Sequence, residues 1–247
     1  MKELQPTALV TGAARRLGAA ITRHLHSLGY RVAIHCNNSI DAANQLAGNL
    51  NNLRAGSAWV IQQPLGSQDS CSHVAKSLIK RFGRCDLLVN NASSFFATPL
   101  TQIKEQSWDE LFSANAKAPL FLSQSLLKPL KEAQGAIINI ADIHAIRPLK
   151  NHTIYCMAKA ANIMLTKSLA LELAPEVRVN GIAPGAILWP ENTSSDTINN
   201  IELMNKIPMN KLGEEKSILT ALDYLIQREA YLTGQIINID GGRTLLQ

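Results

Sequence analysis

The sequence predicts one α/β domain spanning residues 1–247, in which a parallel β-sheet is covered by helices on both faces. Two observations support this fold class. Short β-rich runs alternate with longer segments of helical periodicity from end to end. The short runs are apolar throughout, as strands buried on both faces are. No low-complexity linker and no internal repeat divides the chain.

The first part of the chain alternates four predicted strands with three helices. Gly29 follows the first helix and is a typical residue for ending one, because glycine adopts a left-handed conformation without steric cost. The predicted strands are 7–10, 31–35, 58–62 and 86–89, and the helices between them are 17–28, 42–50 and 71–82.

The second part begins with a long helical region, 108–132, in which Pro119 is expected to cause a bend. A strand at 136–140 and a helix at 153–173 follow, and 177–182 and 235–239 supply the last two strands. The polar stretch 189–210 is long for a simple connection. It is either a substrate loop, over about 186–212, or a solvated surface loop.

Composition narrows the function classes. Hydrophobic residues make up 46% and charged residues 17%, which is enough for a large core. The net charge of +5 raises the question of nucleic acid. Lysine and arginine are scattered, however, without a run of five or six, which weighs against that partner. Phosphates on a cofactor are the milder explanation.

Compartment and metal content are also constrained. The four cysteines show no C-x-x-C spacing and the histidines no ligand spacing, so neither a disulfide framework nor a metal is expected. The N-terminus lacks a signal-peptide core, and no apolar run approaches 18 residues. We expect a cytoplasmic protein without membrane contact. The cysteines are Cys36, Cys71, Cys85 and Cys156.

The first strand runs directly into residues 11–18, which read TGAARRLG. A tight turn that opens a helix directs free backbone N–H groups and the helix dipole at one point, which favours a phosphate. The alternative is an ordinary βα turn. After the second strand, residues 35–39 contain no acid, and none occurs before Asp41. Since an NAD site places an acid there, and Arg15 and Arg16 supply positive charge, NADPH is favoured.

Tyr155 and Lys159 lie four residues apart, on one face of the predicted helix. A tyrosine pKa is normally about 10, and a neighbouring cation lowers it, which brings proton transfer nearer to neutral pH. Asp142 follows the strand 136–140, at the sheet edge where ligands bind in open α/β sheets. The alternative is that Tyr155 only packs and Lys159 is solvated.

These residues resemble the classical short-chain dehydrogenase/reductase family over almost the whole chain. The resemblance implies a Rossmann-like, doubly wound fold with seven parallel strands, and commonly a homotetramer. The motifs that carry it are Thr11-Gly12, Asn90-Asn91-Ala92, Asn115, Tyr155-x-x-x-Lys159, Asn180-x-x-x-Pro184-Gly185 and Asp240-Gly241-Gly242.

Within that family the chain is most similar to pteridine reductases. They resemble it at Arg16, where most members have a third glycine, at Asp142, where most have a serine, and in the run NNASSF at 90–95. Two features of pteridine reductases are missing. Those enzymes have a basic residue, for the 2′-phosphate, where this chain has Asn38, and an acid, for adenine, where it has Pro64. Recognition of the 2′-phosphate would then rest on Arg15, Arg16 and Ser39, and that of adenine on the backbone around Leu65.

The resemblance implies NADPH-dependent reduction of a dihydropterin of the dihydrobiopterin, dihydromonapterin or dihydrofolate class. Tyr155 would donate the proton, Lys159 would tune it and hold the ribose, and Asp142 would orient the phenol or relay protons. The implied cofactor-binding residues are Gly12, Arg15, Arg16, Leu17, Asn38, Ser39, Leu65, Asn91, Ala92, Ser93, Tyr155, Lys159, Pro184 and Gly185.

The implied substrate site adds Phe95, stacked on the pterin, and hydrogen bonds from Ser93 and Arg16. Trp189 either walls this site or anchors its loop. Phe95 in the core and Arg16 as a surface residue are the alternatives. Asn115 either holds a water that connects Lys159 to solvent or bonds at a helix bend. His144, near Asp142, is assigned to loop structure.

Two other functions remain open. A short-chain reductase of a ketone, such as a 3-oxoacyl thioester, shares most of these motifs. Asp142 argues against it, because serine donates to a carbonyl and an ionised acid cannot. A dinucleotide-sensing protein without chemistry would need neither Tyr155 nor Lys159.

Overall fold

The computed structural model describes residues 5–187, 202–227 and 231–246. Its strands form one seven-stranded sheet, ordered β3-β2-β1-β4-β5-β6-β7, in which every pair is parallel. The predicted fold class is confirmed. The strands are β1 Thr7–Val10, β2 Arg31–Cys36, β3 Ala58–Gln62, β4 Leu87–Asn90, β5 Ala136–Ile140, β6 Arg178–Pro184 and β7 Ile236–Ile239.

Helices connect these strands on both faces of the sheet. Within the described ranges, no helix is both long and apolar enough to cross a membrane. Short 3-10 turns occur at Leu100–Gln102, Ile143–Ala145 and Arg243–Leu245. The helices are α1 Arg16–Ser27, α2 Ile40–Leu53, α3 Gln68–Phe82, α4 Glu105–Phe112, α5 Ala118–Ser125, α6 Leu127–Glu132, α7 Thr153–Leu173 and α8 Glu215–Ile226.

Two apolar layers hold the helices to the sheet. Because side chains alternate along a strand, Ala8 and Val10 of β1 face one layer and Leu9 faces the other. The first layer packs against α1, α2 and α8, and the second against α3, α5 and α7. All four residues of β1 are buried. Burying one leucine or valine contributes about 1.5–3 kcal/mol, so the sheet's interior is the main source of stability.

The predicted helix 108–132 differs from the structure. It is divided into α4, a π-helical turn at Ser113–Lys117, α5 and α6. Pro119 lies in the first turn of α5, so the irregularity adjoins the position at which the sequence predicts a bend. The irregularity lies one turn earlier, in the π turn.

The sheet order reverses between β1 and β4, which are neighbours although two strands separate them along the chain. At such a switch point the connections leave in opposite directions and open a crevice at the carboxyl ends of the strands. The turn after β1 and the segment after β4 form its walls.

Candidate active site

The turn after β1 is fixed by the segment that follows β4. The Thr11 hydroxyl accepts hydrogen bonds from the backbone N–H groups of Asn91 and Ala92, both at 2.9 Å. In return the Asn91 side-chain amide donates to the carbonyls of Thr11, at 2.9 Å, and Gly12, at 3.1 Å. Asn91 is predicted to bind cofactor, but in the structure its side-chain N–H groups bond the turn.

Two glycines allow the turn to be this tight. Gly12 has a φ of +60°, and a Cβ added there would lie 2.9 Å from the Ala92 Cα. A Cβ on Gly18 would lie 2.1 Å from the Gly12 carbonyl oxygen. Both distances are too short for a side chain, so the start of α1 packs directly on the turn that precedes it.

The crevice beside this turn has a volume of about 490 Å³. Its described lining contains two arginines and no acidic residue. Most of the predicted cofactor-binding residues meet there. The lining consists of Gly12, Ala14, Arg15, Arg16, Leu17, Gly18, His35, Cys36, Asn37, Asn38, Ser39, Asn91, Ala92 and Ser93.

The amino terminus of α1 lies at the crevice. Its N-cap residue, Arg15, makes no side-chain capping bond, and its first turn contains no acid, whereas α2, α3, α4 and α8 each have one there. Backbone N–H groups at a helix start favour an anion. A dinucleotide diphosphate fits this end of the crevice.

Arg16 has a φ of +51°, the left-handed conformation that glycine adopts most easily. A non-glycine residue there costs about 1 kcal/mol. This backbone explains why glycine is suitable at this position in most of the family that the sequence resembles. In this strained conformation the Arg16 side chain lines the crevice.

A second cavity, of about 480 Å³, adjoins the first and shares His35, Asn37, Ala92 and Ser93 with it. Leu65 lines this second cavity. Pro184 and Gly185, also predicted to bind cofactor, line neither cavity; they lie at the end of β6, where the Gly185 N–H donates to the Ile239 carbonyl.

The three predicted catalytic residues come together at the carboxyl end of β5. The Tyr155 hydroxyl donates to a carboxylate oxygen of Asp142 at 2.7 Å. The other carboxylate oxygen accepts from the His144 N–H, also at 2.7 Å, which orients Asp142. Lys159, 3% exposed, donates through Nζ to the Ile140 carbonyl at 2.9 Å.

The electrostatics keep the phenol protonated. Burial raises the pKa of Tyr155, and the Asp142 charge and hydrogen bond raise it further, while a bond from Ser93 opposes them. The sequence predicts a lowered pKa for Tyr155, whereas its surroundings in the structure raise it. The anion bonds the phenol directly, whereas the Lys159 Nζ lies 5.8 Å from the ring centre. A protonated phenol beside a carboxylate can give a proton and regain one.

The ammonium group of Lys159 is itself destabilised by its surroundings. Burial lowers the pKa of Lys159 to about 8, although the Asp142 charge opposes the shift. Because 8 lies above neutral pH, Lys159 is mostly charged there, and Asp142 supplies nearby negative charge. The positive charge in this part of the site therefore depends on Asp142.

Phe95 lies beside the phenol and is 56% exposed, which rules out the alternative that it belongs to the core. Its ring stacks on His152, with centroids 4.7 Å apart, and meets the Tyr155 ring edge to face at 4.8 Å. Rings in these arrangements attract one another. The result is an aromatic surface at the mouth of the site.

Asn115 connects this surface to α7. Its side chain accepts from the Ser93 hydroxyl at 2.7 Å and donates to the carbonyls of Ser94 and Leu111, both at 2.9 Å. Its own carbonyl accepts from Asn162 at 2.9 Å. The structure thus favours the hydrogen-bonding role for Asn115.

Two residues near the site were missed from the sequence, and Trp189 lies outside the described residues. Asn162 is a buried polar residue in an apolar helix, three positions after Lys159. His35 interrupts an apolar strand just before the crevice. In each case a polar residue among buried apolar neighbours was the available signal.

The fold and the site together define the class of protein. An anion-binding turn at the switch point of a parallel sheet, beside a protonated phenol, is the arrangement of a dinucleotide-dependent oxidoreductase. A model of the short chain dehydrogenase family matches residues 6–199, and the chain belongs to that family.

Two relatives align with nearly the whole chain. Pteridine reductase 1 of Leishmania tarentolae is 34% identical over 283 aligned positions, which cover 97% of this chain and 96% of that protein. A 3-oxoacyl-acyl-carrier-protein reductase of Staphylococcus epidermidis is 32% identical over 243 positions, which cover 97% and 99%. This chain is similar to both, so family membership alone leaves the substrate open.

Proposed function

We propose that this protein reduces a dihydropterin to the tetrahydro form with NADPH. The observation that carries the proposal is the 2.7 Å hydrogen bond from the Tyr155 hydroxyl to Asp142. A proton delivered to a basic ring nitrogen must be replaced, and a carboxylate bonded to the phenol suits that task. A ketone reductase needs a donor to polarise the carbonyl, which an ionised Asp142 is not.

The crevice lining supports NADPH as the cofactor. Its described residues include Arg15 and Arg16 and no acid that would repel a 2′-phosphate. Ser39 and Asn38 complete the end proposed for that phosphate, and Leu65 the end proposed for adenine. When bound, the dinucleotide supplies the hydride. Lys159 is proposed to hold the nicotinamide ribose.

The substrate surface is proposed to consist of Phe95, Ser93 and Arg16. Phe95 presents an exposed ring on which a flat pterin can stack. Ser93 lines the cofactor crevice and also lowers the pKa of Tyr155, so it lies between the crevice and the phenol. Trp189, with the segment 186–212, is proposed to close the site over the substrate; residues 188–201 of that segment lie outside the described part of the chain.

The pteridine reductase of Leishmania tarentolae supports this proposal, and the 3-oxoacyl reductase of Staphylococcus epidermidis supports the rival one. The test is NADPH oxidation at 340 nm against dihydrobiopterin, dihydromonapterin, dihydrofolate and a 3-oxoacyl thioester. We expect turnover with at least one dihydropterin or dihydrofolate and none with the thioester. Turnover of the thioester alone would establish the rival function.

Asp142→Ser sharpens the same experiment. Serine restores the donor that a ketone reductase uses and removes the carboxylate that we assign to proton replacement. Dihydropterin reduction should fall about tenfold or more. Undiminished dihydropterin reduction by this variant would refute the role of Asp142.

We further propose that the active form is a homotetramer that works in the cytoplasm. Met157, Met164 and Leu171 lie seven residues apart on α7 and are 46%, 60% and 84% exposed. Such an apolar stripe on a long helix is suited to burial against another subunit. Light scattering should give four times the chain mass for the wild type and less for Met164→Asp.

A further inference from the structure

His35 bonds two segments that line the cofactor crevice and the cavity beside it. Its Nδ1 lies 3.3 Å from the Gly12 backbone nitrogen, and its Nε2 lies 2.8 Å from the Gln63 carbonyl oxygen. Its own carbonyl accepts from the Ala13 N–H at 2.8 Å. One residue at the end of β2 therefore fixes two successive N–H groups of the phosphate turn and the segment after β3.

These partners determine the tautomer of the ring. A carbonyl can only accept, so Nε2 must carry a proton, and a backbone N–H can only donate, so Nδ1 must be bare. The side chain is 2% exposed, so water cannot replace either partner without opening the turn. Only the neutral imidazole satisfies this arrangement. A proton on Nδ1 would face the Gly12 N–H.

We propose that His35 is a positioning residue that makes cofactor binding sensitive to pH: the neutral ring holds the Gly12–Ala13 turn in its phosphate-binding form, and protonation releases it. The inference rests on the proposed dinucleotide site. Each pH unit below the pKa of His35 in the free protein should weaken binding by about tenfold, provided the bound form excludes the proton.

Charged groups on several elements face this ring. Arg15 and Arg16, in the turn, line the crevice with it and disfavour its protonation. Asp109 and Glu110 of α4 line the second cavity with it and favour protonation.

Other elements add few titratable groups near the ring. Asp41 lies in the first turn of α2, and Cys36 follows His35 in β2, while residues 62–66, at the end of β3 and after it, contain no titratable group.

Burial lowers the pKa of His35, and the bond to Gln63 opposes that shift. Because the folded pKa lies below the unfolded one, His35 contributes stability that is full above pH 6.5 and is lost as pH falls.

Two substitutions separate the bonds of His35. Asn in this position presents an oxygen near the place of Nδ1 and can accept from Gly12, whereas Gln presents an N–H near the place of Nε2 and can donate to Gln63. Neither titrates. His35→Asn should bind NADP⁺ about as tightly as the wild type at pH 8 and lose the acid weakening. His35→Gln should bind about fivefold more weakly at every pH, since it loses the Gly12 bond.

The control is His26→Gln. His26 is also a buried histidine whose pKa is lowered by burial, but its Nε2 bonds the Ser57 hydroxyl at 2.7 Å, away from the crevice. Its binding curve should follow the wild type at every pH. Thermal unfolding at pH 8 establishes that each variant is folded.

The experiment measures the Kd of NADP⁺ by tryptophan fluorescence from pH 5.5 to pH 8.5. The 2′-phosphate titrates near pH 6, so the ratio of wild-type to His35→Asn Kd is the informative quantity. We expect this ratio to rise as pH falls. A constant ratio, or one that falls because the anionic dinucleotide favours a protonated ring, overturns the inference. Absence of NADP⁺ binding by the wild type at pH 8 would instead refute the proposed function.

A measurement on the unmutated protein completes the test. Nitrogen-15 histidine spectra should show the Nε2–H tautomer for His35 and a lower pKa with NADP⁺ bound than without. A pKa that is unchanged or raised by NADP⁺ contradicts the coupling.

Discussion

The phosphate turn and the catalytic group of Asp142, Tyr155 and Lys159 are held by different kinds of interaction. At the phosphate turn, neutral groups of Thr11, Asn91 and His35 bond backbone atoms, and the described lining of the crevice has no acid. In the catalytic group, Asp142 and Lys159 are ionisable, buried or half-buried, and anchored to backbone. The turn is organised by shape and the catalytic group by charge.

This difference indicates which substitutions the phosphate turn and the catalytic group each tolerate. Glycine packing at the turn leaves no space, so added volume should harm it even without a change of charge. The phenol, by contrast, has its pKa raised by burial and by the neighbouring Asp142 charge, so an isosteric change of that charge should alter its chemistry while leaving the fold intact. Four substitutions test this contrast, in order of decreasing effect.

Tyr155→Phe removes the proton donor and keeps the ring. We expect kcat to fall about 10³-fold, since positioned acids contribute about 10²–10⁴, and the Kd of NADPH to stay within a few-fold. Steady-state NADPH oxidation and fluorescence titration measure the two quantities. Activity within tenfold of the wild type would show that another group donates the proton.

Gly18→Ala places a methyl group 2.1 Å from the Gly12 carbonyl oxygen. We expect the free energy of unfolding to fall by about 3 kcal/mol, because backbone atoms cannot yield. Urea denaturation measures the change.

Gly48→Ala is the matched control, because Gly48 lies within α2 and its Cβ would meet open space. It should raise the free energy of unfolding by about 0.8 kcal/mol, through helix propensity alone. Equal effects at the two glycines would contradict the packing argument.

Asp142→Asn keeps the size and removes the charge next to the phenol. The pKa of Tyr155 should fall, because the Asp142 charge and its hydrogen bond both raise it. Dihydropterin turnover should fall about thirtyfold as proton replacement is lost. Ultraviolet titration, with Asp142→Asn/Tyr155→Phe as the reference for the other tyrosines, measures the shift. An unchanged Tyr155 pKa would mean that burial alone controls it.

Arg16→Gly relieves a left-handed backbone conformation at the crevice. The free energy of unfolding should rise by about 0.7 kcal/mol, while NADPH affinity falls. Gln134→Gly is the control, because Gln134 also has a positive φ, +48°, but lies near the amino ends of the strands, away from the crevice. It should gain similar stability and leave affinity unchanged. An unaltered NADPH Kd for Arg16→Gly would remove Arg16 from the cofactor site.

Much of this arrangement followed from local sequence patterns. The apolar runs gave every strand to within two residues, because strands buried on both faces cannot accommodate polar side chains freely. The grouping of Tyr155, Lys159 and Asp142 was predictable because one helix face and one strand end fix their positions.

Properties that depend on the three-dimensional surroundings of a residue could not be predicted from these local patterns. The direction of the Tyr155 pKa shift depends on which charge bonds the phenol, and sequence spacing gives no such distance. The stacking of Phe95 on His152 and the two bonds of His35 depend on segments far apart in the chain.

The π turn at Ser113–Lys117 has a consequence for chain length. It holds one residue more than a regular helix would, and the Asn162 amide bonds the Asn115 carbonyl within it. Deleting a single residue there would convert it to a regular α-helical turn and leave α4 and α5 in about the same rotational phase. Leu111 would stay buried. A natural homologue or engineered variant that is one residue shorter in this turn can therefore keep the inner face of α4, and the bond between the turn and Asn162 of α7 is the contact that it must rebuild.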